Sequence, residues 1–272
     1  MPRLTIEELN TIKETYKDPL KGHTKHTITL CGGSGCRAKG SLKVKEAIET
    51  QAKTKGDDLV SIHLTGCNGF CAQGPVMRVY PGGILYQGFK EQDAAAIVDE
   101  HLLQDKPVEK LLCKDNKDPK GKATIASADD VPFYKLQSQR VLRNRGFIDP
   151  DNINEYIAKD GYMALVKAVT QMTPQEVLST VRDSGLKGRG GGGFPTGLKW
   201  AIAASTDGAK KFVICNAGPI SRSIVETDPH LIVEGMVIAA RAIGATQGYV
   251  YVREPDNLFI INRLKTTLAR AR

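Results

Sequence analysis

Apolar positions recur at helical spacing at the front of the chain, at Ile6, Leu9, Ile12 and Tyr16, and Thr5 followed by Glu8 supplies a capping box for that helix. His26 to Leu30 alternates like a strand and delivers Cys31 at its end. Leu42, Val44, Ala47, Ile48 and Ala52 predict a helix over 41–53, and Leu59 to Leu64 reads as a second strand that stops just before Cys67. Val76 to Tyr80 and Ile84 to Gln87 flank Pro81-Gly82-Gly83, a turn that makes them an antiparallel hairpin, and Glu91 to Leu103 is helical. Helix, strand, helix, strand, hairpin, helix suits a compact α/β sandwich with both cysteine-bearing loops at one edge.

The pattern then changes. From Gln104 to Pro150 the chain is rich in Lys, Asp, Gly and Pro with sparse apolar residues, which reads as a linker. Alternating α/β resumes near Asp151. Gly161 to Val169 looks helical, and Thr173-Pro174-Gln175-Glu176 combines a cap, a proline at the first helical position and a capping box for a helix to Ser184. Lys211 to Cys215 and Gly248 to Val252 read as strands. Asp228-Pro229 starts an apolar helix closing near Gly244, and residues from Asn257 to the end form an amphipathic helix. The organisation expected is an α/β domain over 1–104, a linker over 105–150 and a second α/β domain over 151–272.

Composition narrows the class without naming it. A chain of 272 residues, 41% hydrophobic, is long enough for two cores. The start lacks a basic-then-apolar leader, and no apolar run approaches a bilayer's thickness, so a soluble cytoplasmic chain without membrane insertion is expected. The net charge of +8 is spread along the chain and is densest at Lys106 to Lys122, among residues that mark a solvated loop. A nucleic-acid role is therefore not expected. Phosphate-bearing cofactors or acidic partner subunits would use the same field.

Two stretches carry chemistry. Cys31-Gly-Gly-Ser-Gly-Cys36 and Cys67-Asn-Gly-Phe-Cys71 are two glycine-rich cysteine pairs. Four thiolates brought to one point repel each other unless a cation or cluster neutralises them. Loose pairs suit a [2Fe–2S] cluster, whose irons each take two sulfurs, although zinc and two disulfides remain alternatives at this point. His63, His101, Cys113 and Cys215 are assigned no role. The second stretch, Gly188-Arg-Gly-Gly-Gly-Gly-Phe-Pro-Thr-Gly-Leu-Lys-Trp200, satisfies G-x-G-x-x-G but follows a helix where the Rossmann fingerprint needs a strand. Its unobstructed backbone N–H groups beside Arg189 and Lys199 suit a flat, phosphate-bearing ligand such as flavin mononucleotide. Glu226, Asp228 and Glu234 read as helix caps and solvated helix positions.

These motifs carry a specific resemblance. The cysteine quartet with Gly66-Cys-Asn-Gly-Phe-Cys-Ala-Gln-Gly-Pro75 and Tyr80-Pro-Gly-Gly-Ile-Leu-Tyr86 resembles the thioredoxin-like [2Fe–2S] ferredoxin domain of NADH dehydrogenases and NAD-linked hydrogenases. Ser184 to Trp200 resembles the flavin loop of the flavoprotein subunit of the same enzymes, differing at Gly192, where alanine is usual. The resemblance implies a thioredoxin-like domain ahead of the front part of an FMN- and NADH-binding α/β domain. It implies a [2Fe–2S] cluster on Cys31, Cys36, Cys67 and Cys71, FMN against Gly188, Arg189, Gly190, Gly191, Lys199 and Asn216, and NAD(H) bordered by Gly192, Phe194 and Lys199.

The activity so implied is NADH:acceptor oxidoreduction in a complex with other iron–sulfur subunits. NADH would pass a hydride to FMN, and single electrons would go on to the clusters. The likeness breaks after Cys215-Asn216-Ala217. There the family's acidic pair and glycine-containing turn give way to Gly218-Pro-Ile-Ser-Arg-Ser223, which removes carboxylates that accept hydrogen bonds from bound cofactor. The relatives also continue beyond Arg272 with a four-cysteine [4Fe–4S] domain. A non-catalytic [2Fe–2S] carrier or assembly module is therefore the alternative expectation.

Overall fold

The computed structural model describes residues 4–16, 24–113, 127–208, 210–218, 221–253 and 258–272. These fall into two units. The front unit holds the described residues within 18–152 together with 226–228, and the back unit those within 1–17, 153–225 and 229–272.

Helix α1 (Ile6–Thr15) opens the chain and belongs to the back unit. The front unit follows with β1 (His26–Cys31), α2 (Ser34–Ala38), α3 (Ser41–Lys53), β2 (Val60–Thr65), β3 (Val76–Tyr80), β4 (Ile84–Gln87), α4 (Ala94–Ala96), which widens into a π turn over Ile97–Leu102, and α5 (Pro132–Lys135). Its four strands form one sheet in the order β2-β1-β3-β4. Strand β1 runs parallel to β2, with Cys31 opposite Thr65, and antiparallel to β3, with Leu30 opposite Met77. Being central, β1 is buried at every position, so both sheet faces need covering. Ile28, Leu30, Met77, Val79 and Tyr86 point to one face and pack with Val44 and Ile48 of α3 and with Ile97 and Leu102.

Cys113, Ala128, Val131 and Tyr134 join Cys31, Val76 and Leu85 of the sheet in a second apolar cluster. These four residues come from the stretch whose composition reads as a linker, as do Val108, Leu111 and Leu112 of the first cluster. A few apolar side chains in a polar segment are enough to close a sheet face. Residues 114–126, which hold much of the Lys106–Lys122 basic patch, lie outside the described residues.

His101 is 5% exposed and marks a pH-sensitive point in this unit. The Val108 N–H donates to the Tyr86 hydroxyl oxygen at 2.7 Å, and the Tyr86 hydroxyl lies 2.8 Å from His101 Nδ1, which accepts from it when that nitrogen is unprotonated. Burial, and secondarily the neighbouring His26, hold its pKa down to about 4 against an ordinary 6.5, with Asp105 opposing. A depressed folded pKa contributes stability that is present above the unfolded value and is lost as pH falls toward the folded one. Between pH 6.5 and 4 the wild type is expected to lose on the order of 3 kcal/mol more than His101→Gln, measured by urea unfolding across that window. Parallel pH profiles for the two proteins would refute the assignment.

The back unit contains α6 (Ile153–Ala158), α7 (Met163–Thr170), α8 (Pro174–Asp183), α9 (Thr196–Ser205), β5 (Phe212–Asn216), α10 (Arg222–Thr227, of which 226 and 227 group with the front unit), α11 (Pro229–Ile243), β6 (Gln247–Tyr251) and α12 (Leu258–Ala271). Helix α1 packs on α6. The capping box starts α8 as expected, with Glu176 N–H donating to Thr173 Oγ1 at 3.3 Å and Thr173 N–H to Glu176 Oε2 at 2.7 Å. Strands β5 and β6 pair in parallel, Ile214 opposite Tyr249. Val213, Cys215 and Val250 turn inward, whereas Ile214 is 71% and Tyr251 57% exposed. Helix α6 carries no sequence signal strong enough to predict it, yet it holds Tyr156 and Ile157 in the core. Among the described residues, no helix is long and apolar enough to cross a membrane.

Candidate functional site

The parallel pairing of β1 with β2 explains why two cysteine pairs far apart in sequence meet. Parallel neighbours end at the same sheet edge, so the loops after them start side by side. Gly32 N–H donates to Thr65 O at 2.8 Å and holds the two loop entrances together. Cys31 is the last residue of β1, Cys36 lies in α2, Cys67 follows β2, and Cys71 opens a 3-10 turn over Cys71–Gln73. Cys31, Cys36 and Cys67 are buried and Cys71 is exposed, and none of the six cysteines is in a disulfide.

The thiols of Cys36 and Cys67 both hydrogen-bond to the Cys31 sulfur, which holds the Cys31 pKa down to about 2 despite its burial. The same contacts, with burial, push Cys36 and Cys67 far up. Cys36 and Cys67 each lie against the Cys31 sulfur, and only a bound cation or cluster allows all of them to be thiolates. Main-chain donors already point at the sulfurs: Asn68 N–H lies 3.4 Å from Cys31 Sγ, and Gly69 N–H 3.4 Å from Cys67 Sγ. Close approach demands two glycines. A Cβ on Gly33 would stand 2.9 Å from Cys67 Cβ, and one on Gly74 would stand 2.9 Å from Cys36 Sγ. Among the described residues, no three His, Cys, Asp or Glu side chains converge as ligands of a single ion. A two-iron cluster asks for two sulfur pairs, and the two loops carry two cysteines each.

Glu226 and Asp228 correct the expectation of solvated positions, because they are 3% and 1% exposed. Glu226 accepts from Ser34 N–H at 3.0 Å and from Ser34 Oγ–H at 2.7 Å. Thr227 Oγ–H donates to Cys67 O at 3.2 Å, and Asn144 Nδ2–H donates to Asp228 Oδ2 at 2.7 Å. Tight loops around sulfur leave polar groups without helix or strand partners, and these side chains satisfy them. Nothing local in the sequence signals pairing across so many residues.

The glycine stretch folds into a closed loop at the start of α9. Gly188 N–H donates to Phe194 O and Thr196 N–H to Leu186 O, both at 2.8 Å, and Arg189 Nη1 returns to Lys187 O at 2.8 Å. Gly191 and Gly193 have φ of 106° and 61°, a region that favours glycine. A Cβ added at Gly190, Gly191, Gly192 or Gly193 would meet nothing within 4 Å. Backbone conformation accounts for Gly191 and Gly193, whereas internal packing does not account for Gly190 or Gly192, and the main chain of the run is open on one side. Phe194 is 51% exposed, Lys199 is exposed on α9, and Asn216 ends β5 with its side chain beside Gly218. Of the segment where the likeness breaks, residues 219–220 lie outside the described residues.

A four-stranded α/β sheet with cysteine loops at one edge, followed by α/β elements with an exposed glycine loop before a helix, defines the class: a thioredoxin-like ferredoxin module joined to flavoprotein-type elements. Comparison with known proteins makes this specific. Residues 1–102 match the family model of the thioredoxin-like [2Fe–2S] ferredoxin, and residues 181–272 match that of the Nuo51 FMN-binding domain. The chain is 48% identical over 143 residues to the NADP-reducing hydrogenase subunit HndC of Solidesulfovibrio fructosivorans, covering 51% of this chain and 29% of that one. It is 40% identical over 137 residues to an NADH-quinone oxidoreductase subunit of Rhizobium meliloti, covering 48% and 32%. The solved structure of a thioredoxin-like [2Fe–2S] ferredoxin from Aquifex aeolicus aligns at 31% identity and a TM-score of 0.31, over 35% of this chain and 96% of that one. The chain spans less than a third of the length of these two curated relatives.

Proposed function

We propose that this chain is an electron-transfer subunit of an NADH-dependent oxidoreductase of the NADH dehydrogenase or NAD-linked hydrogenase type, working in the cytoplasm with other iron–sulfur subunits. The observation that carries the proposal is the joining, in one chain, of four cysteines on adjacent strand ends with a glycine loop whose main chain is open to a ligand. Bound FMN would supply conversion between two-electron hydride chemistry and single electrons, and a bound [2Fe–2S] cluster would supply a one-electron site. Cys31, Cys36, Cys67 and Cys71 hold the cluster. The N–H groups of Asn68 and Gly69 stabilise the negative charge that reduction adds on sulfur.

Gly188, Gly190 and Gly191 present main-chain N–H groups to the flavin, with Arg189 and Lys199 as cations for its phosphate. Gly192 and Phe194 line the nicotinamide side, with Lys199 between the two ligands, and Asn216 is a further flavin contact. These residues bind and orient.

A second reading is a [2Fe–2S] carrier whose flavin half does not retain flavin. The loss of the acidic pair after Ala217 favours it, as does the exposed outer face of the β5–β6 sheet. Anaerobic purification with a visible spectrum, an iron count and acid release of flavin separates the readings. Two irons per chain with FMN supports the oxidoreductase subunit, two irons without FMN supports the carrier, and an iron-free chain after reconstitution refutes both. Cys67→Ser is expected to reduce bound iron to less than about half, since one iron loses a thiolate of its pair.

A further inference from the structure

Two arginines of the front unit, Arg78 buried and Arg145 half-buried, have no counter-charge to match their position. Arg78 on β3 is 4% exposed, and its guanidinium lies 4.9 Å from the Tyr134 ring centre and 5.3 Å from that of Phe147. Its ion-pair partner, Asp129, is 3.4 Å away with a side chain 79% exposed, so most of that carboxylate's field falls in water. Arg145 lies directly on the cysteine loop. A Cβ on Gly69, midway between Cys67 and Cys71, would stand 2.5 Å from its Nη1 and 2.8 Å from its Cζ. The next residue, Gly146, backs onto the Asn68 side chain and fixes this stretch against the loop. The Nε atoms of both arginines are buried without a hydrogen-bond partner among the described residues.

A buried cation left this poorly paired is costly, and the cost is offset where an anion stands within reach. The cysteine site is the anion on offer. Tyr134, over which Arg78 lies, packs in the same cluster as Cys31 and Cys36, and Arg145 spans the turn between the other two cysteines.

We propose that Arg78 and Arg145 are fixed counter-charges that raise the reduction potential of the cluster held by Cys31, Cys36, Cys67 and Cys71. The inference rests on the cluster reading above. It assigns a potential-setting task to the 128–147 stretch, which supplies Arg145 and the Tyr134 and Phe147 rings that hold Arg78. Reduction adds one negative charge to the cluster. A unit charge roughly 10 Å away, at an effective dielectric of about 20, shifts such an equilibrium on the order of tenfold.

The test uses the full chain with its cluster reconstituted, and reads iron per chain and midpoint potential by spectroelectrochemical titration. Arg145→Gln and Arg78→Gln are each expected to lower the potential by the equivalent of roughly tenfold, about 59 mV for a one-electron couple, with iron content unchanged. Arg145→Lys and Arg78→Lys, which keep the charge, should recover most of that shift. Asp129→Asn removes a largely exposed carboxylate whose field falls mostly in water, so it should leave the potential close to the wild-type value. If a glutamine variant loses its cluster, the lysine variants still decide: a lysine variant displaced as far as expected for glutamine overturns the proposal, and so does an Asp129→Asn shift as large as that expected for Arg78→Gln. So do iron-replete glutamine variants at the wild-type potential. A wild-type chain that takes up no iron defeats the cluster reading itself.

Discussion

Glu234→Ala is expected to destabilise the back unit by about 3–5 kcal/mol, the cost of removing a buried carboxylate that accepts from three donors. Glu234 sits on α11, 5% exposed. Its carboxylate accepts from the Tyr156 hydroxyl, from Tyr162 N–H at 3.0 Å and from Leu165 N–H at 3.1 Å. The last two are the N-cap and third-residue amides of α7, which no helical carbonyl can satisfy. Tyr162, at φ 63°, has no side-chain cap of its own to offer, and its hydroxyl is engaged 2.7 Å from His230 Nδ1. A side chain from another helix thus caps α7, and its negative charge also suits the positive end of the helix dipole. Alanine would remove the acceptor of three hydrogen bonds at once. Glutamine keeps one acceptor but turns an amide toward a donor, so a smaller loss, about 1–3 kcal/mol, is expected. The single tryptophan, Trp200, packs in this unit and reports its unfolding by fluorescence in a urea titration. Glu176→Ala, which removes an exposed capping partner, should cost only about 1 kcal/mol. A Glu234→Ala midpoint no lower than that of Glu176→Ala would rule out this capping role.

Glu234 also shows where sequence reasoning stops. Elements written in a local pattern are readable from it: the hairpin of β3 and β4, the Thr173 capping box, the strand that ends at Cys31. The cysteine quartet is readable because thiolates repel and their number and spacing point to a shared ligand. The glycine loop is readable because four glycines in a row have no packing reason to exist. What escapes is what depends on distant partners. Glu226, Asp228 and Glu234 look like helix caps and solvated helix positions, and their burial becomes visible only when Ser34, Asn144 and Tyr162 arrive beside them. The helical stretch after Glu91 hides a similar limit, since its apolar spacing cannot tell an α-helix from the π turn that Ile97–Leu102 adopts. Covering of the second sheet face escapes because Cys113, Ala128, Val131 and Tyr134 are too sparse to form a periodic signal.

Gly190→Ala is expected to leave stability unchanged or raised by about 0.4–1 kcal/mol, while weakening FMN binding at least about tenfold. The two effects separate because of what surrounds this residue. A Cβ at Gly190 would meet nothing within 4 Å, and its φ is not among the positive ones, so alanine fits the folded chain and stiffens the unfolded one. A ligand lying flat on the loop would meet that same methyl group directly. Gly191 is the wrong place for the experiment, since its φ of 106° makes any side chain strain the backbone whether or not a ligand binds. Gly192 is the control. It too is open within 4 Å, and the resembling flavin loops carry alanine there, so Gly192→Ala should bind FMN as the wild type does. Flavin fluorescence titration gives the affinities and thermal unfolding the stabilities. Equal affinities for wild type and Gly190→Ala would mean that the run of glycines serves something other than a flat ligand, and the flavin assignment of Gly188, Arg189 and Lys199 would fall with it.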